Sequence, residues 1–454
     1  MNAQLMEKLF PARRRLTQTQ FIAFGFGIVI LIGTLLLMLP ISSKTGETGN
    51  FLNCFFTATS ASCVTGLIVY DTWTHWTLFG QLVLLILIQI GGLGFVTIGV
   101  FVSIVLRRKI GLKERGLMQE SVNTLQIGGM VKLAKKIVIG TALFEGTGAV
   151  ILALRFIPEL GVARGIYYGI FHAISAFCNA GFDLMGYQGE FVSLVNFYDD
   201  WIVNLVVMSL ILIGGLGFIV WDDLSRNGLK WKRYMLHTKL VLLSTVVLVF
   251  GGAFFFYLFE KDNVLLGMSG SGQFLASMFG SVTARTAGFN TVDTAAMTDA
   301  GKLLTVILMF IGGCPGSTAG GVKTTTILVM YLYLISTIRR TYGVNVFGRR
   351  LEDDTLKQAS SIVMINLTLA LLASLLLMAS QQLPMADVFF ETFSAMSTVG
   401  ITTGITRALN PLSRIVVAFL MYCGRVGSLS FALSITQNKR VAPVQQPAEK
   451  ITIG

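Results

Sequence analysis

Four short stretches of this chain end alike: FTATSASCVTG (56–66), FHAISAFCNAG (171–181), MFGSVTARTAG (278–288) and FETFSAMSTVG (390–400). Aligned on Gly66, Gly181, Gly288 and Gly400, they lie 115, 107 and 112 residues apart, close to a quarter of the 454-residue chain. A Ser-Ala pair stands six and five residues before the glycine in three of the four. No nucleophile with a base and no metal-ligand set accompanies them, so what they offer is backbone. Glycine takes φ values that L-residues disfavour, which lets successive carbonyls turn toward one axis. Rings of backbone carbonyls can replace the hydration shell of a monovalent cation. The chemistry indicated is therefore cation coordination by Val64-Thr65-Gly66, Asn179-Ala180-Gly181, Thr286-Ala287-Gly288 and Thr398-Val399-Gly400. Because the neighbours of the glycines differ between copies, one well-ordered ring is expected, at the glycines. Selectivity should be weaker and conduction slower than in a channel built from four identical loops.

Such loops need elements to hold them. The chain is 54% hydrophobic and 13% charged, and apolar runs of eighteen or more residues recur, as membrane-crossing helices require. Eight spans are predicted, at roughly 18–40, 78–106, 134–157, 201–221, 238–259, 302–336, 358–380 and 412–436. The first follows a basic stretch, Arg13 to Arg15, but lacks a small-residue cleavage site and reads as a retained helix. Of the 35 Lys and Arg, 25 fall in the N-terminus, the tail and the segments that join one copy to the next. The positive-inside rule then places both termini and those joins in the cytoplasm, with the glycine loops on the outer side. The net charge of +12 thus reports orientation in a bilayer rather than nucleic-acid binding.

Two crossings per copy return the chain to the same side, so all four copies run parallel, which excludes the inverted-repeat architecture. Non-helical backbone at membrane depth must be buried in protein or line water, so the glycine loops face one another or a conduit. The expected fold is an all-α integral membrane protein: four parallel helix–pore-loop–helix repeats around a central pore, with eight transmembrane helices and four re-entrant loops. The repeats run 18–106, 134–221, 238–336 and 358–436, between a cytoplasmic N-terminus (1–17) and a cytoplasmic tail (437–454).

The sixth span, drawn as one straight helix, would be about 52 Å long, well beyond a bilayer. Gly312, Gly313, Pro315, Gly316, Gly320 and Gly321, interleaved with Ser317 and Thr318, must break it. The resulting loop, 312–321, would line the conduit beneath the filter and is a candidate gate. Gly316 to Gly321 spaces like a phosphate-binding loop, but Val322 stands where that motif needs its lysine, and the setting is a membrane span. Arg425, in CGRVGSLSF (423–431), sits mid-span, where a charge is costly and faces protein or a water path. It reads as a positive barrier in the conduit or as a helix-locking ion pair. Lys323 either adds to it or reaches the cytoplasmic interface.

Glu145, the one carboxylate found deep in a span, suggests a structural pairing with an unknown partner. The GGLGF motifs at 91–95 and 214–218 suggest close helix packing. Five cysteines without ligand spacing and three scattered histidines carry no metal or triad. An intramembrane enzyme is excluded on the same grounds. Inward cation movement needs no cofactor: 100 mV is worth ~2.3 kcal/mol per charge.

Taken together, the four loops, both GGLGF motifs, TARTAGFN (283–290), FETFSAMSTVG and GGCPGSTAGGVK (312–323) resemble the Trk/Ktr/HKT superfamily of potassium transporters over about residues 15–435. Within it, the likeness is greatest to the KtrB-type potassium-translocating membrane subunits. The resemblance implies selectivity at Gly66, Gly181, Gly288 and Gly400, gating by the 312–321 loop with Arg425, and potassium as substrate. Members with serine at the first position tend to favour sodium, so Gly66 implies potassium; a sodium-selective or proton-coupled transporter of the same fold is the alternative. The resemblance also implies sodium as activator, a homodimer in the plasma membrane, and a cytoplasmic RCK-type regulatory ring that carries ATP or ADP. No link in the chain is long enough to house such a nucleotide domain, the longest being about 28 residues (107–134).

Overall fold

The structure is a computed structural model that describes residues 17–106, 111–122, 129–341, 343–352 and 354–427. Residues 1–16, the end of the predicted eighth span (428–436) and the 437–454 tail lie outside the described residues. Helices dominate; the one strand pair among the described residues is a hairpin of Asn345–Val346 with Arg349–Arg350.

Among the described residues, four helices are each long and apolar enough to cross a membrane: α1 (Gln18–Met38), α6 (Met130–Leu160), α10 (Leu236–Glu260) and α14 (Asp354–Ser380). Each leads to a shorter helix: α2 (Phe51–Ser62), α7 (Val162–Phe177), α11 (Gly270–Thr283) and α15 (Met385–Met396). Every short helix ends at one of the glycine loops. Side chains cap two of their starts: Asn50 accepts from Leu52 and Asn53 amides, and Ser269 from that of Gly272. After the loops come α3 (Leu78–Leu93), α8 (Trp201–Gly215), α12 (Asp299–Phe310) and α16 (Pro411–Val426).

The packing is cyclic. The helix after each loop lies against the short helix of the next quarter of the chain: α3 on α7, α8 on α11, α12 on α15, and α16 back on α2. Large side chains such as Phe56, Phe177, Phe279 and Phe390 are fully buried around these short helices. Outward faces of the long helices expose Leu143, Leu154, Phe254 and Leu375, an apolar perimeter far larger than a water-soluble monomer presents.

Three of the predicted spans are broken, two of them against expectation. The 78–106 span divides into α3 and α4 (Phe95–Val105), which meet at 92°. The 201–221 span divides into α8 and α9 (Phe218–Asn227), at 96°. Gly94 (φ 78) and Gly217 (φ 96) sit at the breaks with positive φ, which glycine adopts without steric cost. The packing reading of GGLGF was therefore incomplete: its last glycine is a corner. The third break is the one expected of the sixth span, where α12 stops at Phe310 and thirteen residues separate it from α13 (Thr324–Ile338). The 107–134 link is not all loop, since it holds α5 (Leu112–Val122).

Candidate functional site

Each glycine loop is closed by the same backbone bond. The amide of the residue before the glycine donates to a carbonyl in the last turns of the short helix: Thr65 to Ser60 (2.8 Å), Ala180 to Ser175 (2.8 Å), Ala287 to Thr283 (2.9 Å) and Val399 to Ser394 (2.8 Å). This equates Thr283-Ala284 with the three Ser-Ala pairs, one residue nearer its glycine, which is why alignment on the glycines concealed it. The hydroxyls then do two things. Ser60 and Ser394 accept from the Gly66 and Gly400 amides at 3.0 Å, whereas Ser175 and Thr283 donate to the Phe182 and Phe289 carbonyls at 2.7 Å.

All four glycines have positive φ (98, 69, 86 and 93°). So do the residues two before them: Val64 (56°), Asn179 (59°), Thr286 (87°) and Thr398 (52°). A non-glycine residue held there costs on the order of 1–3 kcal/mol, a strain with no signature in the residue pattern. The glycines meet in a ring. A methyl group on Gly66 would lie 2.5 Å from the Ala180 carbonyl oxygen, on Gly181 2.8 Å from that of Ala287, and on Gly288 2.7 Å from that of Val399; on Gly400 it would collide with that of Thr65. Thus each glycine abuts the carbonyl preceding the next, in chain order, and the fourth returns to the first. No other residue fits.

Outside the ring lies a cavity of about 360 Å³ lined by all four glycines together with Asp183, Asp293, Thr402 and Arg407. Asp183 accepts from the Met185 amide at 2.9 Å. Burial, with Asp71 nearby, pushes its carboxyl up to about 7.

Beneath the ring runs the 311–323 segment. Its base is pinched by an Ile311–Val322 bridge and by the Thr324 amide donating to Gly313 at 3.0 Å. Amides of Cys314 and Thr318 donate to Gly215 (3.1 Å) and Gly214 (3.3 Å), Gly316 accepts from Phe218 (2.8 Å), and Gly321 donates to Gly424 (3.4 Å). The Thr318 hydroxyl reaches the Phe177 carbonyl at 3.2 Å. A methyl on Gly320 would strike the Thr398 side chain, and one on Gly321 the backbone of Ser397. The loop therefore touches the undersides of the second and fourth glycine loops.

Arg425 fastens it from the side, donating to the Thr318 carbonyl of the loop and to the carbonyls of Gly91 and, at 3.0 Å, Gly92. Its partners are carbonyls; among the described residues no acidic group bonds it. Lys323 turns back into the loop, its ammonium on Ala319 (2.6 Å) and Gly320 (3.1 Å). The predicted loop residues, Lys323 and Arg425 thus come together at one place.

Three features escaped the sequence. First, GGLG in α3 and α8 has counterparts in IGGCPG (311–316) and CGRVG (423–427). Gly91, Gly214 and Gly424 pack so tightly on Ser62, Phe177 and Met396 carbonyls that a Cβ would collide, and Gly427 (φ 94) matches Gly94 and Gly217. Arg425 therefore occupies the position of Gly92 and Gly215. Second, Glu145 has a partner: Gln89 donates to it at 3.2 Å, and the Cys178 thiol lies 3.8 Å away, one residue before Asn179. Third, Arg285 is buried beside Cys314 of the loop (3.9 Å), and Glu391 is fully buried in α15.

Short helices aimed into a ring of glycine backbones, within an apolar perimeter, define an integral membrane protein that handles cations. The chain belongs to the TrkH family of cation transport proteins, whose family model matches residues 11–439. It is 39% identical to the potassium/sodium uptake protein NtpJ of Enterococcus hirae, over 97% of this chain and 98% of that protein. It is equally 39% identical to the Ktr system potassium uptake protein B of Bacillus subtilis, over 94% of each. The crystal structure of the potassium transporter TrkH from Vibrio parahaemolyticus shares the fold, with TM-score 0.72 and 19% identity, covering 94% of this chain and 86% of that one. The protein is accordingly a multi-pass membrane transporter, and its family is one of transporters rather than enzymes.

Proposed function

We propose that the protein takes up potassium across the plasma membrane, down the membrane potential, through a selectivity filter formed by the four glycine loops. The observation that carries this reading is the ring: four backbones whose glycines tolerate no side chain because each abuts the next loop's carbonyl. In this account four parallel helix–loop–helix repeats surround the path, both termini are cytoplasmic, and the vestibule opens outward. The carbonyls at the glycines take the place of water around the ion. The loop at 311–323 is the gate, with Arg425 as its clamp and as a positive barrier.

Regulation extends beyond this chain. Sodium activates, two copies form a homodimer, and a cytoplasmic RCK-type ring that binds ATP or ADP sets the gate; relatives named as potassium uptake proteins of a Ktr system support a second component. A second reading, uptake of sodium as well, is favoured by one observation, the potassium/sodium wording of the Enterococcus hirae relative.

Growth rescue of potassium-uptake-deficient cells at micromolar potassium tests the reading, with and without sodium and with and without a regulatory subunit. Rescue in at least one condition is expected. Failure of a well-expressed protein in all four overturns it, and rescue abolished by competing sodium favours the second reading.

A further inference from the structure

Three residues before each Ser-Ala or Thr-Ala pair, the short helices carry Thr57, His172, Gly280 and Glu391. Two of these four are buried titratable side chains, and neither has been given a task. His172 is fully buried in α7. Its Nδ1 donates to the Tyr168 carbonyl of its own helix at 2.8 Å, which leaves Nε2 to accept from the Leu184 amide at 3.3 Å. Leu184 lies three residues beyond Gly181, on the segment that leaves the second loop. Glu391, equally buried in α15, accepts from the hydroxyls of Thr402 (2.6 Å) and Thr406 (2.5 Å). Thr402 lies two residues beyond Gly400, and its carbonyl in turn accepts from Thr294 beyond the third loop at 2.6 Å.

The same register in the other two quarters does no such work. The Thr57 hydroxyl turns back to Asn53 of its own helix (2.9 Å), and Gly280 has no side chain. The first loop is tied farther out, by Asn53 to Tyr70 at 2.5 Å. Because the loops close in chain order, the second and fourth lie diagonally across the ring.

We infer that His172 and Glu391 are positioning residues for the filter, each pinning from behind the backbone that leaves its glycine, so that two opposite walls of the ring are held at fixed spacing. A buried acceptor facing amide or hydroxyl donors must be satisfied by them or pay desolvation, so the backbone is locked wherever the side chain is locked. Discrimination between ions of different radius needs a site held within about 0.5 Å. This inference rests on the four-loop filter reading.

The test is the ratio of potassium to sodium flux into liposomes containing the purified full-length protein. Glu391→Met and His172→Phe keep volume but remove the acceptor, and each should lower the ratio at least about threefold. Glu391→Gln and His172→Gln, which can still accept, should restore it. Thr406→Val removes one partner hydroxyl at nearly constant shape and should reproduce the Glu391→Met shift in a protein that folds, while Thr57→Val should leave the ratio unchanged. An unchanged ratio in Glu391→Met and Thr406→Val overturns the inference, as does an equal shift in Thr57→Val. Gly66→Ser in the same liposomes separates the two levels. If it shifts the ratio while the pinning variants do not, the positioning role fails and the filter stands; if it too has no effect, the filter reading fails.

Discussion

The glycine ring and the loop beneath it are both irregular backbone inside a membrane protein, yet they are held in opposite ways. The ring is fastened by backbone bonds repeated four times and by contacts so close that no Cβ is admitted. The loop is fastened by unlike bonds, each made once, and by two long cationic side chains, Lys323 and Arg425, that reach its carbonyls. A structure stabilised by many equivalent backbone contacts has one state. The loop's backbone bonds are each made once, to different neighbours, and its two cationic clamps can be moved, because each charged hydrogen bond is worth only about 1.5–3 kcal/mol. Under the proposed function, selection falls to the first and rate to the second.

Removing residues 313–320 should break the comparison most forcefully. Cation flux is expected to rise about tenfold or more, equivalent to ~1.4 kcal/mol of barrier, with the potassium-to-sodium ratio little changed. Replacing Gly66 by serine should do the reverse: the added Cβ meets the Ala180 carbonyl, and sodium flux should rise relative to potassium. Arg425→Gln removes the charge but keeps donors for the Thr318 and Gly91 carbonyls, so flux should rise by a smaller factor, about fivefold or roughly 1 kcal/mol.

The smallest effect concerns the vestibule. Asp183, with its carboxyl pushed up to about 7 by burial and by Asp71, is charged above that pH and neutral below it. An anionic mouth concentrates cations, so uptake at subsaturating potassium should climb as external pH rises from about 6 to 8. Asp183→Asn should flatten the profile.

How far the sequence reached follows the same division. The four glycines and the broken sixth span were legible because glycine and proline at membrane depth have few other uses. The positive φ at Val64 and Thr398 was not, since β-branched residues argue against it and only tertiary packing imposes it. The corners at Gly94 and Gly217 were hidden inside runs whose hydropathy continues across the bend. The Thr283-Ala284 pair was lost to a single-residue shift that backbone hydrogen bonds reveal and a gap-free alignment cannot. His172 read as scattered because its donor, the Leu184 amide, is twelve residues away and carries no side-chain signature.

The most direct test of the division is to record potassium and sodium flux from the same liposomes for the 313–320 deletion and for Gly66→Ser, side by side. The account predicts a raised rate at constant ratio for the deletion and a shifted ratio for the glycine variant. A deletion that changes the ratio as much as Gly66→Ser does, or a glycine variant that leaves it untouched, contradicts the separation of filter from gate.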